Sequence, residues 1–526
     1  MSKLAWNDIH WNLVQRRISR QQRRVYRASM EGNKAKVHAI QYRIISSLDA
    51  KLLAIREVTT KNKIQSIITI DSTEAISHKK KIKLAYQLKL NRKGSPIKIK
   101  SISKYGKSKS QSLSMLIIQD RAKQILIKLA LEPEWEAVFE PSSYGFRPGK
   151  SFHDSIATLS FSFKRKSRYV LNVNLQKCFD KINHKKLLKK LSTFSLIEYQ
   201  LKAWLETEIM IDYLNRPDEI FQAMEGKLQN LIISPLLANI ALHGLENHIR
   251  DWYTNIWPVT SEKNSKITMG DRKISIGFSR YADDFIITVP LLIDINEIQT
   301  QITLWLFSEV GLTISNAKMK VVNSTKGFEF LGFQIITIKN PSTKEYKVKI
   351  HPSQVSKNRI IQRIRYLIRE NKSVSSYSLI NLLSNRIIGW ANYFCFSECI
   401  QDFSKIDYLI FNQIRAWVFR RKSKGLKSRI KLKLKYFPER NTYSFRGKNY
   451  KNNWVLTGKI LIKSGVMKEN FLPKMVWIGL SQYVKIKEQT SPYDGNHLYW
   501  VQRVKSSSGF NNRIYRLIQT QNGHCK

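Results

Sequence analysis

A chain of 526 residues with 42% hydrophobic side chains has ample material for real cores, and its length suggests about three or four modules. Lys and Arg total 90 against 39 Asp and Glu, so the formal net charge is +51; that excess repels itself and calls for a polyanion, nucleic acid ahead of an anionic membrane surface. No apolar run is long enough to span a bilayer, there is no secretory pattern at the N-terminus, and Cys178, Cys395, Cys399 and Cys525 are too scattered for a disulfide framework.

In chain order, WNLVQRRISRQQRRVYRASMEGNKAKVHAIQYRIISSLDAKLLAIREV (11–58) reads as two helices broken near Gly32. Val14, Ile18 and Val25 share one face, and Arg16, Arg20, Arg23 and Arg27 recur at helical spacing on another. A solvated basic face is the plain reading; the global charge favours contact with phosphates. Residues 60–112 are lysine-rich, with alternating strands around a Gly/Ser/Lys hairpin tip. From Met115 to Leu191 the text is helical, passes through the turn-rich EPSSYGFRPGKSF, and returns to helix. RYVLNVNLQKCFDKINH (168–184) begins as an apolar strand and runs into a helix. ISPLLANIALHGLENHI (233–249) predicts one amphipathic helix with Pro235 in its first turn. ISIGFSRYADDFIITV (274–289) predicts a strand–turn–strand hairpin with Asp283 and Asp284 at its tip. Residues 355–437 are helical and basic, and the remainder is mixed, aromatic and basic. No internal repeat is present.

Adjacent half-buried acids are costly unless a cation or base neutralises them. A hard ion such as Mg²⁺ prefers carboxylate oxygens, and a pair of such ions can activate an attacking 3′ hydroxyl and stabilise leaving pyrophosphate. One strand cannot supply all the ligands, so a further carboxylate on a neighbouring strand must face Asp283 and Asp284. Taken alone, an exposed Asp-Asp turn reads the string equally well.

The context of that turn is an ordered series over nearly the whole chain. It runs DAKLLAIREVTTKN (49–62), QDRAKQILIKLALEPEWEAVFEPSSYGFRPGKSFHDSI (119–156), ISPLLANIALHGLE (233–246), SRYADDFIIT (279–288), GFEFLGF (327–333), then RIIGWANYF and AWVFRR. With these segments the sequence resembles the group II intron-encoded proteins, reverse transcriptase/maturases. The resemblance implies an α+β right-hand polymerase fold with fingers, palm and thumb, an N-terminal helical RNA-binding extension and a helical maturase domain. The expected divisions are 1–60 for the extension, 61–345 for fingers and palm, 346–450 for thumb and maturase domain, and 451–526 for a basic C-terminal region. SPYDGNHLYWVQR (491–503) resembles the segment preceding the family's HNH endonuclease, and GHC at Cys525 resembles the opening of its zinc site. The chain stops at Lys526, so the endonuclease is expected to be missing.

Transferred residue by residue, the resemblance gives Asp283 and Asp284 as metal ligands but puts Asn174 where the family has its first acid. Asp180 matches a later, non-ligand acid. An amide oxygen is a neutral and weaker Mg²⁺ ligand. The family's Gly-Thr-Pro-Gln-Gly-Gly loop reads GKLQNL here: Gln229 survives, but Asn230 and Leu231 replace glycines that permit close backbone approach. The fingers segment that clamps the triphosphate reads QSLSML, without arginine, while Lys104 keeps the preceding phosphate-binding position. Tyr281 and Arg147 complete the set expected at nucleotide or template, Arg147 being equally readable as part of a rigid structural turn. In the maturase region, Arg415, Arg420, Arg421, Lys422, Lys424, Lys427 and Arg429 are read as RNA-contacting, and Trp390 and Trp417 as packed core. Cys395 and Cys399 are read as small core residues.

The expected function is a maturase that binds group II intron RNA and assists its splicing, with DNA synthesis absent or weak. The alternative is an active RNA-directed DNA polymerase that supports intron mobility and uses Mg²⁺. DNA is a further compatible polyanion, a homodimer is compatible, and no membrane partner is expected. An organelle, the plastid first, fits the family and the Ile-, Lys- and Asn-rich composition; a mitochondrion or a bacterial cytoplasm are the alternatives.

Overall fold

The computed structural model describes residues 5–60, 77–95, 97–102, 111–115, 117–163, 166–175, 181–207, 209–211, 220–221, 231–256, 276–291, 293–314, 319–421, 426–439, 442–461, 466–487 and 489–506. Helices α1 (Trp11–Met30), α2 (Lys34–Ser46) and α3 (Leu48–Thr60) pack on the long helix α5 (Ile118–Val138), and α4 (His78–Gln87) lies on α3. Val14, Ile18 and Val25 are buried, as their spacing predicts. The chain breaks at Gly32, with φ +70°, but breaks again at Ser47, so three helices stand where two were expected. The Ser47 hydroxyl accepts the N–H of Ala50 at 3.2 Å, a local cap that offers the backbone an alternative to one continuous helix. The hairpin expected in the lysine-rich stretch forms from β1 (Ile97–Ile102) and β2 (Gln111–Met115). It extends through β4 (Ile209–Ile211) and β5 (Ile220–Phe221) into a four-stranded sheet of order β2-β1-β4-β5.

The central sheet has the order β6-β7-β3-β8, built from β3 (Tyr169–Asn174), β6 (Gly277–Tyr281), β7 (Asp284–Val289) and β8 (Met319–Asn323), all antiparallel. Strand alternation divides its side chains between two cores. Leu171, Val173, Phe285 and Ile287 join the core of the N-terminal helices, while Val170 and Ile286 join that of the C-terminal helices. Helix α6 (Phe152–Ser162) packs on β6 and α11 (Ile293–Trp305) on β3; α7 (His184–Leu191) and α8 (Ser195–Glu206) pack on each other. The single helix expected over 233–249 is two, α9 (Ser234–Leu242) and α10 (Leu245–Ile256), because Gly244 takes φ +97° between them. Residues in that left-handed region end helices, and glycine adopts it without a steric penalty.

A three-stranded sheet, β9 (Phe328–Phe330), β10 (Phe333–Lys339) and β11 (Tyr346–Pro352), leads into the helical domain of α12 (Gln354–Glu370), α13 (Ser376–Phe394), α14 (Ile400–Phe419) and α15 (Leu426–Tyr436). Ile364, Leu383, Phe403 and Ile414 fill its core. Trp417 is buried and its indole N–H donates to the Asn371 carbonyl at 3.0 Å, and half-buried Trp390 packs against the same core, its ring 4.6 Å from that of Phe394. Cys395 and Cys399 are buried free thiols. Two hairpins follow, β12 (Tyr443–Phe445) with β13 (Lys448–Tyr450) and β14 (Thr457–Leu461) with β15 (Met467–Phe471).

From Ser481 the chain returns across α6 and the turn before it as a strap ending in α16 (His497–Ser506). The Ser481 N–H donates to the Cys395 carbonyl at 2.9 Å, and Tyr493 donates to Glu132 at 2.9 Å. Asp154, wholly buried in the first turn of α6, accepts the Ile486 N–H and the Arg503 guanidinium, each at 2.8 Å. A Cβ at Gly149 would lie 2.6 Å from the Trp500 ring, so the strap seats directly on that glycine. No described helix is long and apolar enough to cross a membrane.

Candidate functional site

The register of β3 against β7 sets Asn174 directly opposite Asp284, and that of β6 against β7 sets Tyr281 opposite Asp284 on the other side. The hairpin turns through Ala282, held at φ +59°. The Leu175 N–H donates to the Asp283 carbonyl at 3.0 Å, which ties the turn to the end of β3. The Asn174 amide donates to the Asp284 carboxylate. Burial pushes the Asp284 carboxyl up to about 6, aided by the charge of Asp283 and opposed by the Asn174 hydrogen bond. Asp283 is also raised, again by burial.

These three residues do not fit a two-metal cage. Its ligands must be deprotonated oxygens gathered around a hard ion. Here the strand facing the acids contributes an amide whose donor end occupies a carboxylate oxygen of Asp284. Among the described residues no group of three or more His, Cys, Asp or Glu gathers at a metal-binding spacing. Asp180 lies outside the described residues.

The turn is braced from behind by the YGFRPG segment. The Tyr144 N–H donates to the Arg280 carbonyl at 2.8 Å, and the Arg280 N–H to the Ser142 carbonyl at 2.9 Å. A Cβ on Gly145 would meet the backbone nitrogen of Ala282 at 2.2 Å, so only glycine lets the two turns touch. Asn239 donates to the Gly145 carbonyl at 2.8 Å and accepts from the buried Arg280 at 3.1 Å. Glu140, buried beneath them, hydrogen-bonds His243 at 2.8 Å and the Gly244 N–H. Burial alone would raise its carboxyl, but the His243 hydrogen bond and charge, with Arg280, hold it down at about 2. None of Gly145, Asn239, Glu140 and Arg280 was singled out from the sequence; the glycine flanked by aromatics was the one available signal.

Arg147 corrects the expectation of a template contact. It is buried, with its guanidinium forked on Glu136 at 2.9 and 3.0 Å and donating to the carbonyls of Glu140 and Ser143 at 2.7 and 2.8 Å. Four internal hydrogen bonds leave it pinning a turn. Tyr281 is half-buried, 6.0 Å from the exposed ring of Phe146, whose φ is +57°. Lys104 and Gln229 lie outside the described residues.

On α1, Arg16, Arg20 and Arg27 are exposed, and Arg23 is half-buried near the strap, its Cδ 3.9 Å from a Cβ built on Gly495. Arg415, Arg420 and Arg429 are exposed on and after α14. Arg421 differs from the expectation: it stacks 3.8 Å from the Trp417 ring centroid and donates to the carbonyls of Lys372 and Val374, so it fastens α14 to the loop after α12. Lys422, Lys424 and the side chain of Lys427 lie outside the described residues.

Residues 102–335 match the family described as reverse transcriptase (RNA-dependent DNA polymerase). Residues 6–88 match the N-terminal domain of reverse transcriptase, and 357–437 the group II intron maturase-specific domain. The chain is 26% identical over 395 residues to an uncharacterized 91 kDa protein in a cob intron of Schizosaccharomyces pombe, covering 64% of this chain and 48% of that protein. It is 24% identical over 418 residues to maturase-like protein 1 of Euglena gracilis, covering 77% and 80% respectively. To the group II intron-encoded protein LtrA of Lactococcus lactis it is 26% identical over 286 residues, 46% of this chain and 47% of LtrA. The alignments thus span about half the length of the fission-yeast and Lactococcus relatives.

Proposed function

Because the chain belongs to the reverse transcriptase/maturase family of group II intron-encoded proteins, we propose that it binds a folded group II intron RNA and assists its splicing, with DNA synthesis absent or very weak. The RNA performs the transesterification, and the protein supplies binding energy that stabilises the active RNA fold. The observation that carries this reading is Asn174 in register with Asp284, an amide donor where a polymerase needs an acid. Losing a metal ligand removes transition-state stabilisation that a substrate-binding surface cannot replace. Exposed Arg16, Arg20, Arg27, Arg415, Arg420 and Arg429 offer the phosphate contacts that a binding role needs.

Splicing the neighbouring intron in vitro at near-physiological Mg²⁺ tests the proposal. Wild type and the double variant Asp283→Ala, Asp284→Ala should rescue splicing equally; failure of the variant alone would return function to the palm. The second reading, an active polymerase serving intron mobility, draws on the intact turn at Tyr281–Asp284 and its brace at Gly145. Reverse transcriptase domains generally use divalent metal ions, and Mg²⁺ would be the ion in that case. Robust cDNA extension with Mg²⁺ or Mn²⁺ would favour it over the first. Of the positions outside the described residues, Lys104 and Gln229 are proposed at the nucleotide or template, and Lys422, Lys424 and the side chain of Lys427 as RNA contacts. The compartment proposed is an organelle, the plastid first, which imaging of a fluorescent fusion would test.

A further inference from the structure

Away from the palm, a cavity of about 620 Å³ opens where α14 meets the loop before β14 and the short turn Met475–Trp477. Tyr408, Phe411, Trp454 and Trp477 make its walls aromatic, and Arg415 and Lys474 stand at its rim. Tyr408 is 65% exposed and Trp454 40%, with the exposed Val476 alongside. Large rings are rarely left in water side by side unless something covers them. Trp454 is fixed by ring contacts to Phe411 and Phe437, each at 5.6 Å between centroids. The Tyr408 hydroxyl makes no hydrogen bond among the described residues.

The polar groups sort the ligand chemistry further. Asp407 accepts the backbone N–H groups of Met475 and Val476 at 3.0 and 3.1 Å, one on each oxygen. Its charge is thus spent on holding the floor and is not aimed at a cationic ligand. Arg415, Lys474 beside Asp407, and Lys433 at 5.2 Å over the Trp454 ring leave the site positive, so it suits an anion carrying a flat apolar face. A duplex keeps its bases inside the stack, whereas a single strand can offer one to an aromatic wall.

We propose that this cavity takes an unstacked nucleotide of single-stranded RNA, its base against Tyr408 and Trp454 and its phosphate on Arg415 and Lys474. The volume lies within the range of ordinary small-ligand sites, roughly 300–1,000 Å³. A protein partner would need an acidic surface to meet the same rim; the net charge of +51 and the exposed arginines favour the nucleic acid. The inference rests on the RNA-binding reading above and adds to it a discrimination between unpaired and paired RNA.

The test uses the full chain with a short single-stranded RNA carrying 4-thiouridine and, separately, a blunt RNA duplex of equal length, at salt high enough to suppress phosphate contacts. Photocrosslinks should map to peptides bearing Tyr408 or Trp454. Tyr408→Ala should weaken the single strand about 5- to 100-fold and leave the duplex unchanged, while Tyr408→Phe keeps the stacking ring and should bind like wild type. Because Tyr408 is exposed and unpartnered among the described residues, its truncation leaves the fold intact, which a melting curve checks. Crosslinks that map elsewhere, or a Tyr408→Ala protein that binds both RNAs as wild type does, would overturn the proposal. So would a sedimentation experiment in which Tyr408→Ala dissolves a self-associated species, since the face would then serve a protein. Wild-type protein that binds neither these RNAs nor the intron would sink the RNA-binding reading itself; retained duplex and intron binding without crosslinks here would sink this inference alone.

Discussion

Asn174 and Asp284 meet across two strands with one hydrogen bond between them, and that bond satisfies a carboxylate which burial would otherwise leave costly. Asn174→Asp would replace the donor by a third acid. Without divalent ions the variant should be less stable than wild type by about 1–3 kcal/mol through like-charge crowding. Mn²⁺ should raise its melting temperature more than that of wild type, and an equal response in both would show that Asn174 is not what bars the ion. Glu140 gives a pH signature. Its carboxyl stays ionised in the fold down to about 2 but titrates near 4.5 when unfolded. Its contribution is therefore complete above pH 4.5 and is lost as pH falls through that window. Denaturant titrations should find Glu140→Gln less stable by about 2–4 kcal/mol at pH 7, with the gap shrinking by pH 3. The acid turn and the position of Asn174 were legible because they lie in short, ordered stretches. Glu140, His243 and Arg280 were not, since their partners are distant in sequence. Arg147 misled because an arginine beside Pro-Gly reads as surface, and its acid, Glu136, sits on the preceding helix.

The acid-bearing hairpin is held as an element by the contact of Gly145 with Ala282. Gly145→Ala must displace backbone, so calorimetry should record a loss of about 2 kcal/mol or more and a shift in the fluorescence of nearby aromatics. Gly389, inside α13, is the contrast: nothing lies within 4 Å of an added Cβ. Gly389→Ala should gain about 0.5–1 kcal/mol from helix propensity alone. If both substitutions cost stability, the reading of the Gly145 contact loses its control. Element types were legible where periodicity was strong, in α1, in the hairpin of β6 and β7, and in the thumb helices. The breaks at Ser47 and Gly244 were missed because apolar spacing continues through both, and a cap or a positive φ, not the pattern, stops the helix.

For the whole molecule, the excess of positive charge favours a polyanionic partner, but the sequence did not show how the parts are tied together. Intron affinity should fall steeply with salt. Replacing Arg16, Arg20 and Arg27 together by Gln should flatten the log–log slope by about 2–3 units if each meets a phosphate, and leave it unchanged if the face is merely solvated. Arg503→Ala would strand the buried Asp154 carboxylate. About 3 kcal/mol of stability should go with it, and limited proteolysis should cut the strap first. The aromatic and basic tail gave no sign of this pairing, because the ion pair joins residues 349 positions apart.

That separation has a consequence for how the protein is made. The helix bearing Asp154 leaves the ribosome long before the arginine that neutralises it has been translated, so the nascent chain holds that carboxylate with its local Ser151 hydrogen bonds alone. Contacts of such span close late and slowly. An early stop before residue 503 should thus give a product that folds less securely than the full chain and falls more often to proteases.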